Sequence, residues 1–284
     1  MTLALAWTAT RPDRRQHLYV VSDSRIRGGG RLDGCPKIIT LPRSDCVLTF
    51  AGTTRDAYPL MIQLAYAIGA HAPTRDRAVD LSQLKDHFVR LADDLLGRFV
   101  DAGGFGDREV QIILAGYSWM SKEFRVWIIE YRATKKMEER KLRAGFRVRE
   151  SRGFHPNLPR AALIGDKEHV KSFERVLRKV LEERQRPVHM EPLKLFAEAL
   201  RQVGPNDSIG GAPQVVQVTE HSNVRPLVVP WAGQRTLFGR DLFEYERVDY
   251  WSIDPDTGLH SAPEPFGQPV EQASPVGSPK QVPS

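Results

Sequence analysis

The sequence holds only two cysteines, Cys35 and Cys46, so a disulfide framework is excluded. Neither has Cys or His partners at zinc spacing. A reducing, cytoplasmic setting is therefore the expectation. No apolar run approaches the ~18–20 residues that a membrane span needs, so no membrane-spanning segment is expected. The start, Met1-Thr2-Leu3-Ala4-Leu5-Ala6-Trp7, lacks a basic segment and a long apolar stretch, and so does not read as a secretory signal. No histidine pair has the H-x-x-x-H spacing of a helical metal site. Gly28-Gly29-Gly30 lacks the Gly-Lys-Ser/Thr of a phosphate loop, and Gly103-Gly104-Phe105-Gly106 is not a dinucleotide fingerprint. Neither metal nor cofactor is expected.

What is present is ordinary globular composition: 284 residues, 41% hydrophobic and 27% charged. That length suits one or two domains with a sizeable core. The net charge is +6, from 41 basic and 35 acidic residues. Residues 132–152 alone carry nine basic and three acidic side chains, so the remainder is balanced. The basicity is local, and it argues for a solvated excursion, an oligomer contact or a docking site for an acidic partner. A nucleic-acid-binding adaptor is the weaker reading. Residues 262–284 hold six prolines and few large apolar groups, which predicts disorder.

Residues 3–7 and 17–21 read as two strands of an N-terminal hairpin. Two more short strands follow at 37–41 and 46–51. Past Gly52 the period becomes helical, with Thr53 or Thr54 as the cap. A second helix over about 80–101 has Asp80 as its cap and Gly103-Gly104 as its stop. Strands near 109–117 and 124–131 come next, then the basic stretch as a hairpin or loop. Helices over 165–183 and 191–203 precede strands at 214–219 and 225–229. Residues 236–253 contain aromatic-rich, strand-like runs. Strands in runs and helices in pairs do not suit a parallel βαβ sheet. They suit two packed sheets with helices on both outer faces.

Several strings carry a resemblance. They are Thr2-Leu3-Ala4-Leu5-Ala6-Trp7, Val20-Val21-Ser22-Asp23-Ser24-Arg25, Cys35-Pro36-Lys37-Ile38-Ile39 and Phe50-Ala51-Gly52-Thr53-Thr54-Arg55-Asp56-Ala57. A weaker one is Ser208-Ile209-Gly210-Gly211 before a strand. In this order they resemble the proteasome β-subunits and their bacterial ring-protease relatives, which are N-terminal nucleophile hydrolases. The likeness spans about residues 2–229. It implies an α+β fold, a four-layer αββα sandwich. Beyond it, residues 230–261 read as a β-rich C-terminal extension, and 132–160 as a basic excursion.

The resemblance also implies a chemistry. Thr2 would be the nucleophile once Met1 is removed, with its own α-amine as the base. An α-amine has an ordinary pKa of about 7.7–8.0, suited to proton transfer near neutral pH. Lys37 would hold that amine neutral and steady a developing alkoxide, Asp23 would hold Lys37, and the Gly52 N–H would serve an oxyanion. Arg25, Gly165, Asp166, Asn206, Asp207 and Ser208 are candidate supporting residues. The implied activity is hydrolysis of peptide or amide bonds through an acyl-threonine. The implied partners are further copies of the chain, as in a ring, and a separate ATPase unfoldase.

Two positions depart from the family pattern. Asp166 stands where the family has a serine, and Ile209 fills the serine slot before the late glycines. These departures keep open a second reading, a catalytically inactive structural or binding subunit of the same fold.

Overall fold

The computed structural model describes residues 2–10, 15–27, 30–98, 109–132, 136–137, 140–141, 145–183 and 188–263. Met1, Gly28, Gly29, the 103–106 glycine loop, residues 133–135, 138–139 and 142–144 of the 132–152 basic stretch, and the tail from 264 on lie outside the described residues.

The fold is mixed α+β. In chain order it runs β1 (Leu3–Thr10), β2 (Gln16–Ser22), β3 (Ile38–Thr40), β4 (Cys46–Gly52), α1 (Thr54–Ala70) and α2 (Leu81–Gly97). It continues with β5 (Val110–Ser118), β6 (Glu123–Arg132), β7 (Gly145–Glu150), β8 (Ala161–Gly165), α3 (Lys167–Glu182), α4 (Glu191–Gln202), β9 (Gln214–Thr219) and β10 (Val224–Leu227). Two five-stranded sheets result, ordered β8-β1-β2-β9-β10 and β7-β6-β5-β4-β3. Every pairing within them is antiparallel.

Strand alternation explains how the sheets are covered. Along β1 the large residues Leu3, Leu5 and Trp7 join a cluster with Phe173 and Leu177 of α3 and Leu193 and Phe196 of α4. The intervening Ala4 and Ala6 join a different cluster, with Val47 and Ala51 of β4 and Ile113 and Ala115 of β5. Successive strand residues point to opposite faces, so one face of the first sheet meets helices and the other meets the second sheet. Small residues at the sheet–sheet seam allow close approach. The second sheet repeats the pattern: Leu48, Phe50, Ile112 and Leu114 pack with Leu60, Leu64, Leu84 and Phe88 of α1 and α2.

Local signals set the helix starts. Asp80 accepts from Ser82 N while Gln83 reaches back to Asp80 N, a reciprocal capping box. Thr53 precedes α1 but makes no side-chain capping bond. The basic stretch, expected as a hairpin or loop, becomes regular at its end: β7 pairs with β6 from Gly145 to Glu150. Strand β8 carries no clear signal in the sequence. It is short and follows Pro159, yet it pairs along Leu3–Trp7 as the edge of the first sheet.

The aromatic run at 236–253 is largely not strand. Gln234–Leu237 and Arg240–Asp241 form part of a small three-stranded sheet, and residues 242–251 lack strand pairing. Phe243, Tyr245 and Trp251 are exposed, with Phe243 and Tyr245 stacked on each other. Residues without alternating burial have no face to drive a sheet. The extension nonetheless shares the first sheet's core, because Trp231 packs against the cluster that contains Val229 and Ile253. No described helix is long and apolar enough to cross a membrane.

Candidate active site

Three chain segments meet where β1 begins, β2 ends and β3 begins. The β1–β2 ladder closes at Ala4 and Ser22, which leaves Asp23 beside Thr2 and Leu3. Asp23 is fully buried. Its Oδ1 accepts from Leu3 N at 3.1 Å and Lys37 Nζ at 2.9 Å. Its Oδ2 accepts from Arg25 N at 3.2 Å and Gly210 N at 3.0 Å. Lys37, only 1% exposed, enters from the start of β3. A charged group in such a place needs paired, hydrogen-bonded surroundings, and these four bonds supply them.

Burial acts on both ends of the pair. Desolvation is the largest influence on each: it pushes the Asp23 carboxyl up and pulls the Lys37 ammonium down. Their mutual attraction opposes both shifts. An ammonium with a lowered pKa gives up its proton more readily than a surface lysine.

Gly52 ends β4 at a point where the chain must turn into α1. Its φ is +102°, and a Cβ there would lie 2.0 Å from the Glu109 carbonyl oxygen. Only glycine fits that conformation and that approach. Gly165 is similar on the other side. A Cβ on it would lie 2.1 Å from the Thr2 carbonyl oxygen, which also accepts from Asp166 N at 3.1 Å. The start of β1 is thus gripped from two directions.

Thr2, Arg25, Lys37 and Gly52 line one cavity of about 490 Å³, together with Ile26, Arg27, Thr53, Thr54, Arg55 and Glu109. Asp23 lies behind this wall, on Lys37. The other candidates do different work. Arg25 forms a bidentate pair with Asp33 at 2.7 and 3.0 Å and donates to the carbonyls of Gly204, Asp207 and Ile209. It ties the 204–210 loop to the end of β2.

Asp166 caps α3 by accepting from Glu168 N at 3.0 Å. Its carboxylate serves a helix terminus, the usual role of an aspartate at that place. Asp207 accepts from Gly204 N within its own turn, and the Asn206 carbonyl accepts from Arg27. Ser208 Oγ is buried and has no hydrogen-bond partner among the described residues. Ile209 is 1% exposed and belongs to the core under α3 and α4. Gly165, Asp166, Asn206, Asp207 and Ser208 do not line the cavity.

One organising residue went unrecognised in the sequence. Gln214, fully buried at the start of β9, accepts at Oε1 from Lys37 N at 2.9 Å and Ile38 N at 3.3 Å. Its Nε2 donates to the carbonyls of Asp23 at 3.1 Å and Cys35 at 2.7 Å. It joins the Asp23 and Lys37 segments through four backbone groups. The signal available was a lone amide at the head of an apolar strand. Tyr58 of α1 adds a fifth tie by donating to the Pro36 carbonyl at 2.6 Å. Gln214→Met keeps the volume but orphans those four groups. A loss of about 2–4 kcal/mol is expected in urea unfolding, with an unchanged m-value. A loss below about 0.5 kcal/mol would show that the clamp is dispensable.

Among the described residues no group of three or more His, Cys, Asp or Glu side chains is placed to hold a metal ion. No family model matches the chain, and no curated protein matches it.

Proposed function

We propose that this chain is a threonine-type N-terminal nucleophile hydrolase of the αββα class, cleaving peptide or amide bonds after loss of Met1. The single observation that carries this reading is that Lys37, held from behind by buried Asp23, lines one cavity with Thr2 and Gly52.

The chemistry follows from those groups. A threonine hydroxyl is a weak nucleophile and needs a base within reach. With Met1 gone, the Thr2 α-amine takes the hydroxyl proton as Oγ1 bonds to the substrate carbonyl carbon. The carbonyl oxygen gains the electron pair, and the Gly52 N–H is the donor proposed to receive it. The ammonium then returns the proton to the leaving amine as the C–N bond breaks. Water, deprotonated by the same amine, attacks the ester. The acid leaves and Thr2 is restored. Lys37 contributes its positive charge throughout, and Asp23 keeps it in place.

The departure at Asp166 is compatible with this scheme, because its carboxylate is engaged in capping α3. The alternative of an inactive subunit is favoured by no particular contact. As in the family, copies of the chain would assemble, and the exposed basic edge β7 is a surface for that or for an acidic partner.

The test is the pH profile of kcat/KM on a neutral peptide amide. The rate is expected to rise as the amine loses its proton. That limb is the titration of an α-amine, a group whose ordinary value is about 7.7–8.0. The rate should fall again as Lys37 deprotonates, at a pH below its ordinary 10.5 because burial disfavours the ammonium. Both limbs follow from sign alone: the enzyme needs a neutral amine and a charged lysine. A profile flat from pH 6 to 10 would contradict the roles given to both.

A further inference from the structure

We infer that the site selects acyl groups bearing a carboxylate, with Arg27 as the residue that reads it. This rests on the function proposed above and adds the substrate class.

Four cationic side chains line the cavity, Arg25, Arg27, Lys37 and Arg55, against one carboxylate, Glu109. Three of the cations are already matched. Arg25 is held by Asp33 at 2.7 Å, Lys37 by Asp23 at 2.9 Å, and Arg55 by Asp56 at 3.2 Å. Arg27 differs. It is exposed at the rim, and one of its N–H groups donates to the Asn206 carbonyl. Among the described residues no carboxylate pairs with it.

A guanidinium carries five N–H donors in a planar fork that matches a carboxylate bidentately. The Asn206 contact uses one of them and fixes the arginine to the 204–210 loop. Arg25 anchors that same loop from inside, and Arg31 reaches its Pro205 carbonyl at 3.4 Å. The fork is thus held at the rim, with most of its donors available to a ligand. Glu109 supplies the opposite charge on the same lining. It disfavours an anion on its own side and so directs one toward Arg27. A substrate with a basic side chain next to the scissile bond gains nothing from Arg27 and meets its charge.

The test uses matched fluorogenic peptide amides that differ only at the residue donating the acyl group: Glu, its neutral isostere Gln, and Lys. Wild type is expected to cleave the Glu substrate about fivefold faster than the Gln one in kcat/KM, the scale of one well-formed exposed ion pair. Added salt should shrink that ratio. Arg27→Gln should bring it toward one, whatever it does to the absolute rates. Arg27→Glu should turn the preference toward Lys, and Glu109→Gln should raise the Glu preference.

Labelling of Thr2 by an uncharged epoxyketone is read in parallel. Labelling with a Glu-to-Gln ratio at or below one, or with a ratio that Arg27→Gln leaves unchanged, overturns the inference and leaves the hydrolase reading standing. Absence of labelling removes both.

Discussion

Replacing Thr2 with alanine is expected to lower kcat on a peptide amide by at least about 10⁴-fold, the scale seen when a nucleophile is deleted. The hydroxyl is the only group of the protein that bonds to the substrate carbon in the scheme. The amine, Lys37 and Gly52 assist the bond that it makes. Alanine is also small at the second position, so removal of Met1 should proceed as before. Thr2 is 2% exposed, and its carbonyl, which Asp166 N engages, is retained in the variant. The fold should therefore persist, with a melting temperature within a few degrees of wild type. Thr2→Ser restores a hydroxyl on the same carbon and should recover most of the loss. Equal activity in wild type and Thr2→Ala would locate the chemistry elsewhere.

Lys37→Met should damage both activity and stability, and the two effects can be separated. Lys37 and Asp23 are 1% and 0% exposed at the side chain, with Nζ and Oδ1 2.9 Å apart. Removing one partner of a buried pair leaves the other uncompensated, at a cost of about 3–5 kcal/mol. That is a large share of the 5–15 kcal/mol by which a domain is typically stable. Adding Asp23→Asn removes the stranded charge while keeping an oxygen for the neighbouring N–H groups. The double variant should regain part of the lost stability. It should regain no activity, because the positive charge beside Thr2 is still missing. Recovery of activity along with stability would mean that Lys37 serves only the fold. Unfolding free energy and kcat measured on the same three proteins decide between the two.

These expectations depend on features that differ in how far the sequence disclosed them. The helices α1 to α4 were legible because apolar spacing, Asp80 and the flanking glycines mark them locally. The central strands were legible because runs such as Val110–Ser118 are apolar on both faces. The candidate set Thr2, Asp23, Lys37 and Gly52 was legible only through resemblance. Nothing in the composition places residues 2, 23, 37 and 52 on one cavity wall or behind it.

Features set by distant partners were not legible. Gln214 lies about 180 residues from the two segments that it joins, and a glutamine opening a strand is otherwise unremarkable. Strand β8 depends on its pairing with β1 more than on its five residues. The long aromatic run misled for the opposite reason. Aromatic content suggests strand, but among the described residues no strand pairs with 242–251. Asp166 shows how a residue that departs from the resembled pattern can find a local use, since it caps the helix that follows it.

On the proposed function, the chain works through a free Thr2. The most direct measurement is the intact mass of protein made with a native amino terminus, before and after treatment with a peptide epoxyketone. That reagent closes a ring with the hydroxyl and the amine of a terminal threonine. The expected result is a mass lacking Met1 that gains one reagent per chain, with no gain in Thr2→Ala. A mass that retains Met1 and takes up no reagent would contradict the account, and the fold would then stand as a scaffold.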